Sequence, residues 1–320
     1  MNTSEAQRIV DSHSRKINYL RLSITDRCNL RCTYCMPPGE VKKIAQPDVL
    51  RFEEMIEVAR VAATMGVNKV RITGGEPLVR RGTVKIVREI SSFPGVDTVA
   101  MTTNGTRLAK YAAVLKEAGL TRLNVSMDSL DPEIFREITR GGELSSVLEG
   151  IDNALACGFP VKINTVLLDR LTPEDVSGFV NFALDKGVEV RFIEQMSFNG
   201  DKPYLPQDKV IAWMADRHQV TALSVDKKSS HVKRFDCDGA SIGFISPRSH
   251  PFCSECNKLR LTPNGQLRAC LASTTHVDMR AVLRRPHTDS DVRRAIQQAA
   301  GLKPGTGPWT ARSEMWRVGG

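Results

Sequence analysis

The sequence has few aromatic residues, no long uncharged apolar run and no excess of acidic groups. Aromatic residues make up 6% of the 320 residues and hydrophobic residues 41%, which is ordinary for a globular protein. Since a membrane-spanning helix needs roughly 20 apolar residues, none is predicted. Residues 1–14 are polar and lack the apolar segment of a signal peptide. We therefore expect a cytoplasmic protein without a membrane partner.

Basic residues outnumber acidic residues by 45 to 36, which gives a formal net charge of +9. This excess favours an anionic partner, either a nucleic acid or a phosphorylated small molecule, and charge alone does not distinguish them. No recognisable nucleic-acid-binding domain is present, so we expect no nucleic acid partner. The arginine-rich stretch 280–294 is interpreted as a solvated helix face.

Strand-like runs alternate with amphipathic helical stretches in the first part of the chain. The runs span 19–25, 69–73, 98–103, 122–126, 160–166 and 188–194. The helical stretches between them include 52–65, 107–118, 132–139, 144–157 and 173–185. This alternation predicts parallel strands with right-handed crossovers. Six strands favour an α/β fold, a partial (β/α)6 TIM-type barrel, over residues 1–200.

The strands themselves alternate between apolar and polar residues. In the first run Leu20 and Leu22 lie on the face opposite Arg21, and Arg71 and Lys162 occupy equivalent polar positions in later runs. The apolar face must pack on the helices, so the polar face lines the inside. Because unpaired buried charges are costly, the interior is predicted to be open and to hold a charged ligand.

A different pattern follows in residues 201–320. A helix is predicted at 207–217, with short alternating segments at 220–225, 232–235 and 240–245. We interpret this part as an antiparallel extension that ends in a flexible Gly319-Gly320 tail.

Eight cysteines in a reducing compartment argue against a disulfide framework. Cys157 and Cys237 stand alone and are expected to pack as small apolar residues. The other six form two groups of three, and such spacing suggests metal ligation. These residues are Cys28, Cys32 and Cys35, and then Cys253, Cys256 and Cys270.

The first group has the spacing C-x3-C-x2-C directly after the first strand. Close thiolates suit a four-iron cluster or zinc, and no fourth cysteine lies nearby. Zinc would need a distant histidine, of which His13 is the nearest. A cluster with three cysteine ligands leaves one iron open to a ligand, which is typical of a catalytic site.

The second group is ambiguous by its residues alone. His250 or His276 could complete a zinc site with Cys253, Cys256 and Cys270. The neighbouring Lys258 and Arg260 place basic side chains beside any metal that binds there.

The first group resembles the cysteine motif of the radical S-adenosylmethionine (SAM) superfamily, with Tyr34 immediately before Cys35. Gly74-Gly75-Glu76-Pro77, after the second run, resembles the turn that holds the methionine amino group in that superfamily. The resemblance implies a [4Fe-4S] cluster with SAM bound to its free iron.

The whole chain resembles one family in this superfamily, the GTP 3′,8-cyclases of molybdenum cofactor biosynthesis. The similar segments are 11–37, 70–77, 102–105, 124–130, 191–196, the C-terminal cysteines and the final Gly-Gly. The resemblance implies a second [4Fe-4S] cluster at the second cysteine group, with its free iron toward the guanine base.

The resemblance also assigns roles to individual residues. It implies SAM contacts from Tyr34, Gly75, Ser126 and Met196. It implies GTP contacts from Arg21, Arg71, Thr102, Lys162, Lys258, Leu259 and Arg260. Lys258 stands where the family usually has arginine, which keeps the charge but loses bidentate geometry. The tail residues Arg317, Gly319 and Gly320 are implied to assist turnover.

The implied activity is that of a lyase that removes hydrogen from C3′ of GTP and joins C3′ to C8. It requires an electron donor and passes its product to a pterin-forming enzyme, and a homodimer is possible. Two alternatives stay open at this point. One is another radical SAM enzyme with an auxiliary cluster, acting on a peptide or RNA. The other is a non-enzymatic zinc or electron-transfer protein.

Overall fold

The computed structural model describes residues 8–196, 205–224, 231–308 and 318. Within these ranges twelve strands form one sheet. The strands are β1 Tyr19–Ser23, β2 Lys69–Thr73, β3 Thr98–Thr103, β4 Arg122–Ser126, β5 Val161–Leu167, β6 Glu189–Glu194, β7 Val220–Ala222, β8 Lys233–Cys237, β9 Ala240–Ile245, β10 Lys258–Leu261, β11 Gln266–Arg268 and β12 His276–Asp278.

The α-helices of the described residues follow the strands and cover the outside of the sheet. They are α1 Phe52–Thr64, α2 Thr83–Ser91, α3 Leu108–Glu117, α4 Pro132–Thr139, α5 Leu144–Ala156, α6 Pro173–Lys186, α7 Gln207–Ala215, α8 Met279–Leu283 and α9 Asp289–Gly301. No helix in this part of the chain has both the length and the apolar character that a membrane span requires.

The six-stranded parallel sheet and its antiparallel extension are confirmed. Strands β1 to β6 pair in sequence order and in parallel. The extension joins both edges of this sheet: β10 pairs in parallel with β1, and β9 pairs in parallel with β6. The remaining C-terminal pairings are antiparallel. The pairing of β10 with β1 brings the second cysteine group next to β1, which is the strand that precedes the first cysteine group.

Local sequence signals explain the helix ends. Asp131 accepts hydrogen bonds from the backbone N–H groups of the first turn of α4, and Pro132 fits the first helical position. Thr172 and Asp175 form a capping box at the start of α6. That helix ends at Gly187, whose φ of 62° suits glycine. Helix α2, which was not among the predicted helices, follows Gly82 and has no side-chain cap.

The core lies between the sheet and the helices, as the strand pattern predicts. Leu20, Leu22 and Ile24 are buried there. Cys237 is buried in the same core and Cys157 packs against it, so the expectation that both are apolar packing residues is confirmed. The alternating positions that include Arg21, Arg71 and Lys162 lie on the other face of the sheet, which is the inner face.

Candidate active site

The first cysteine loop is held between β1 and the end of α4. Two backbone amides, Arg31 N and Thr33 N, donate to Thr139 O at 3.0 Å and Ile138 O at 2.9 Å. The Arg140 side chain donates from one Nη atom to three carbonyls of the loop, at 3.0–3.2 Å. Its backbone has a φ of 54°, in the left-handed region, at the C-terminal cap of α4. The loop therefore has a fixed course.

Each of the three thiols of this loop is partly buried. Burial raises the pKa of Cys28 to about 11, with a further increase from the charge of Glu76. Burial raises the pKa of Cys35 to about 12, with further increases from Cys28 and Asp128. Burial, the charge of Asp128 and the other two thiols raise the pKa of Cys32. Metal coordination reverses this balance, because a coordinating thiol is deprotonated by its metal. The donor set therefore fits an iron–sulfur cluster, although no three potential ligand groups converge as a metal site in the described ranges.

The glycine turn after β2 contacts the same loop through its backbone. Gly75 N donates to Thr25 O at 2.7 Å, and Glu76 N donates to Arg27 O at 2.8 Å. A side chain at Gly75 would lie 2.4 Å from Arg27 O, so only glycine fits this approach.

Glu76 is buried and accepts three hydrogen bonds inside the fold. The donors are Leu78 N at 2.9 Å, Thr103 Oγ1 at 2.8 Å and Asn104 N at 2.7 Å. Burial raises the pKa of Glu76 to about 7. Glu76 thus ties the turn after β2 to the turn after β3, and Asn104 in turn donates to Cys28 Sγ at 3.8 Å.

Tyr34 is oriented by Asp128. Its hydroxyl donates to Asp128 Oδ2 at 2.8 Å, and Val166 N donates to Asp128 Oδ1 at 2.9 Å. Burial raises the pKa of Asp128 to about 6. Sequence reasoning assigned no role to Asp128, since a carboxylate after a strand has no distinctive local pattern.

The other residues assigned to SAM lie at the carboxyl ends of the strands. Ser126 ends β4 and is partly buried, and Met196 follows β6. On the inner face nearby, Ser23 Oγ and Thr73 Oγ1 are buried and make no hydrogen bond within the described residues. Buried hydroxyls of this kind are ordinarily satisfied. They fit a polar ligand at this end of the sheet.

A row of cations crosses the inner face. Arg21 lies in register with Arg71 on β2 and with Arg260 on β10. Burial and the charge of Arg260 lower the pKa of Arg21 to about 9. Arg71 donates to Thr102 Oγ1 at 3.1 Å and also to the Tyr19 hydroxyl. Like charges packed this closely indicate that the interior attracts an anion.

Lys162 reaches the same interior from β5 and is paired with Glu189, which sequence reasoning missed. Glu189 also accepts from Arg191 at 2.6 Å and from Arg234 at 3.2 Å. Burial and the charge of Arg191 lower the pKa of Lys162 to about 8. One carboxylate therefore faces three cations, and net positive charge remains at this side of the interior.

The second cysteine group flanks the β10–β11 hairpin: Cys253 and Cys256 precede β10, and Cys270 follows β11. Cys256 N donates to Cys253 O at 3.2 Å, and Gly307 N donates to Cys253 Sγ at 3.3 Å. Burial raises the pKa of Cys256, but the charges of Lys303 and Lys258 outweigh burial, and the pKa lies below its usual range. These partly buried thiols in a positive environment fit an anionic iron–sulfur cluster.

The histidines considered as zinc ligands have other partners. A ring nitrogen of His250 pairs with Ser249 Oγ at 3.1 Å, and a ring nitrogen of His276 donates to Thr274 O at 2.9 Å. Both residues are exposed.

The tail residues Arg317, Gly319 and Gly320 lie outside the described residues. Val318 between them is described and is buried. It packs with Leu271 and Ala272, and Met196 and Cys270 pack against the same small cluster.

Two family models match the chain. Residues 22–183 match the radical SAM superfamily, and residues 188–308 match the family described as Molybdenum Cofactor Synthesis C. Superfamily membership brings SAM and an iron–sulfur cluster as cofactors.

Curated relatives match along almost the whole chain. A GTP 3′,8-cyclase of Petrotoga mobilis is 43% identical over 304 residues, which cover 92% of this chain and 94% of the relative. GTP 3′,8-cyclase 1 of Pseudomonas aeruginosa is 42% identical over 315 residues, which cover 96% and 95%.

Solved structures share the fold. SuiB of Streptococcus suis bound to its precursor peptide SuiA has a TM-score of 0.64 at 14% identity, with 96% of this chain and 72% of that chain covered. SuiB bound to SAM has a TM-score of 0.60 at 16% identity, with 83% and 64% covered.

The identity to the curated relatives far exceeds the level at which only a fold is shared. It also excludes the alternative of a non-enzymatic zinc or electron-transfer protein, because these relatives are enzymes. The chain therefore belongs to the GTP 3′,8-cyclase family of the radical SAM superfamily.

Proposed function

We propose that the chain converts GTP to (8S)-3′,8-cyclo-7,8-dihydroguanosine 5′-triphosphate, the first step of molybdenum cofactor biosynthesis. The row of cations on the inner face, between the two cysteine groups, carries this proposal. A nucleoside triphosphate is the ligand whose charge matches such a row, and its base and ribose reach beyond the phosphates to both cysteine groups.

Cys28, Cys32 and Cys35 would hold the cluster that binds SAM, with Tyr34, Gly75, Ser126 and Met196 around the SAM molecule. When bound, the cluster and SAM together would supply the 5′-deoxyadenosyl radical that takes hydrogen from C3′ of the nucleotide. Cys253, Cys256 and Cys270 would hold a second [4Fe-4S] cluster beside the guanine base. The protein excludes water from the space between them and fixes both ligands.

Arg21, Arg71 and Lys162 would bind the triphosphate. Arginine forks match phosphate oxygens in geometry, and Arg71 is already oriented by Thr102. Lys258, Leu259 and Arg260 on β10 would contact the nucleotide next to the second cluster. Lys162 has to exchange its contact with Glu189 for phosphate, which Arg191 and Arg234 make easier by sharing that carboxylate.

The C-terminal tail would complete the site. Val318 packs next to Met196 and Cys270, which supports a tail whose neighbouring residues Arg317, Gly319 and Gly320 approach the nucleotide. A cytoplasmic location, an external one-electron donor, a homodimer and product transfer to a pterin-forming enzyme are also parts of this proposal.

The test is anaerobic incubation of the iron-reconstituted protein with GTP, SAM and dithionite. We expect loss of GTP with equal amounts of cyclised nucleotide and 5′-deoxyadenosine. Replacing Cys253, Cys256 and Cys270 by serine should abolish the cyclised nucleotide, whereas the matched control Cys157→Ser should retain it. SAM cleavage by the unaltered protein without loss of GTP would contradict the proposal and favour peptide or RNA modification.

A further inference from the structure

Lys303 lies directly after α9 and is almost completely buried, with 3% of its surface exposed. Its backbone N donates to Ala300 O at 3.0 Å, which fixes it to the end of the helix. The apolar face of α9, including Val292, Ile296 and Ala299, is buried in the core. The position of Lys303 is therefore set by helix packing. A buried lysine is rare and requires partners for its charge.

The ammonium group of Lys303 donates two hydrogen bonds, both at the second cysteine group. Nζ donates to Lys258 O at 2.8 Å and to Ala269 O at 2.7 Å. Although burial raises the pKa of Cys256, the charges of Lys303 and Lys258 bring that pKa below its usual range.

The two carbonyl partners lie where the β10–β11 hairpin opens. These strands are antiparallel with Arg260 opposite Arg268, and continuing this register by two residues sets Lys258 opposite Cys270. Cys256 lies two residues before β10, and Ala269 immediately precedes Cys270. Lys303 thus joins the two chain segments that carry Cys256 and Cys270 at the point where strand pairing no longer does so.

Arg15 holds the third cysteine to the segment that follows Lys303. Its guanidinium donates to Cys253 O and, at 2.8 Å, to Pro304 O. Asp11 orients it through a buried ion pair. Two cationic side chains, Lys303 and Arg15, therefore connect the segment 303–304 to the chain segments that carry the three cysteines.

We propose that Lys303 is a positioning residue for the second iron–sulfur cluster. It fixes the relative placement of Cys256 and Cys270 and supplies positive charge against their thiolates. This inference rests on the proposed function, since it requires the second cluster. The charge of Lys303 distinguishes this role from a purely structural one. A positive charge beside the cluster changes the midpoint potential of that cluster, which a lysine that only supports the fold would leave unchanged.

Iron content and midpoint potential test the proposal on the full chain. After anaerobic reconstitution the unaltered protein should hold about eight irons per chain, as two four-iron clusters do. Lys303→Met removes the N–H donors as well as the charge, and it should lower the iron content to about four per chain. The matched control is Lys116→Met, because Lys116 Nζ donates to Gly158 O at 2.8 Å on the exposed end of α3. This control variant should contain as much iron per chain as the unaltered protein.

A second variant keeps the test decisive if Lys303→Met does not fold. Lys303→Gln retains N–H donors but no charge, so it should hold both clusters. The midpoint potential of its second cluster, followed by electron paramagnetic resonance during a reductive titration, should lie below that of the unaltered protein. Unchanged potential in Lys303→Gln, or full iron content in a folded Lys303→Met, would overturn this inference alone. About four irons in the unaltered protein would instead overturn the second cluster itself.

Discussion

Replacing Gly75 by alanine tests whether the glycine turn after β2 sets the position of the first cysteine loop. The new Cβ would lie 2.4 Å from Arg27 O and 2.7 Å from Arg27 C, whereas ordinary contacts lie at 3.4–4 Å. The difference, 3.4 minus 2.4, means that one backbone segment must retreat by about 1 Å. Arg27 directly precedes Cys28, so this shift is passed to the first cluster ligand.

The hydrogen bonds on both sides of Gly75 prevent the strain from being relieved elsewhere. Gly75 N and Glu76 N both donate to the same segment, at 2.7 and 2.8 Å. Overpacking of this kind costs about 1–3 kcal/mol of folding free energy. A misplacement of about 1 Å at a reacting site lowers the rate by about 100-fold. The assay is the rate of 5′-deoxyadenosine formation per bound iron.

Gly178→Ala is the matched control for this substitution. Gly178 lies within α6, and a Cβ there would meet Leu130 Cδ1 at 3.6 Å, an ordinary contact. Alanine in a helix interior should raise the free energy of unfolding by about 1 kcal/mol and leave the rate unchanged. The reasoning is refuted if Gly75→Ala forms 5′-deoxyadenosine as fast as Gly178→Ala.

Three further substitutions test separate contacts. Because burial and Arg191 lower the pKa of Lys162 to about 8, its charge is lost as pH rises through that value. GTP affinity measured by calorimetry should therefore fall about tenfold between about pH 7 and about pH 9, but not in Lys162→Arg; equal slopes would count against the contact. Tyr34→Phe leaves buried Asp128 without one of its two donors, so urea denaturation should show a loss of about 1–2 kcal/mol, and no loss would contradict this. Arg140→Ala should release iron to a chelator several-fold faster, while the exposed neighbour Arg136→Ala should not; equal rates would remove Arg140 from loop support.

The strands of the barrel could be predicted from the sequence because alternation and burial agree there. The predicted runs 69–73, 98–103 and 122–126 coincide with β2, β3 and β4. The polar face could be predicted for the same reason, since period-two patterns put Arg21 and Arg71 on one side. The sequence could not predict that β9 and β10 attach in parallel at opposite edges of the six-stranded sheet. Short strands carry no signal for the partner strand with which they pair.

The supporting residues of the candidate site were beyond sequence reasoning. Glu189, Asp128 and Lys303 act through partners 27, 94 and 45 residues away, as measured to Lys162, Tyr34 and Lys258. The spacing of neighbouring residues in the sequence does not indicate contacts between residues so far apart along the chain. The division of the chain at residue 200, and the ligand contacts of the individual site residues, stay predictions.

Transfer of hydrogen from C3′ of GTP tests the central claim most directly. The unaltered, iron-reconstituted protein is incubated with GTP deuterated at C3′, SAM and dithionite, and the 5′-deoxyadenosine is analysed by mass spectrometry. The account predicts one deuterium in the 5′-deoxyadenosine and its absence from the cyclised nucleotide. 5′-Deoxyadenosine without deuterium, formed while GTP is left intact, would contradict it.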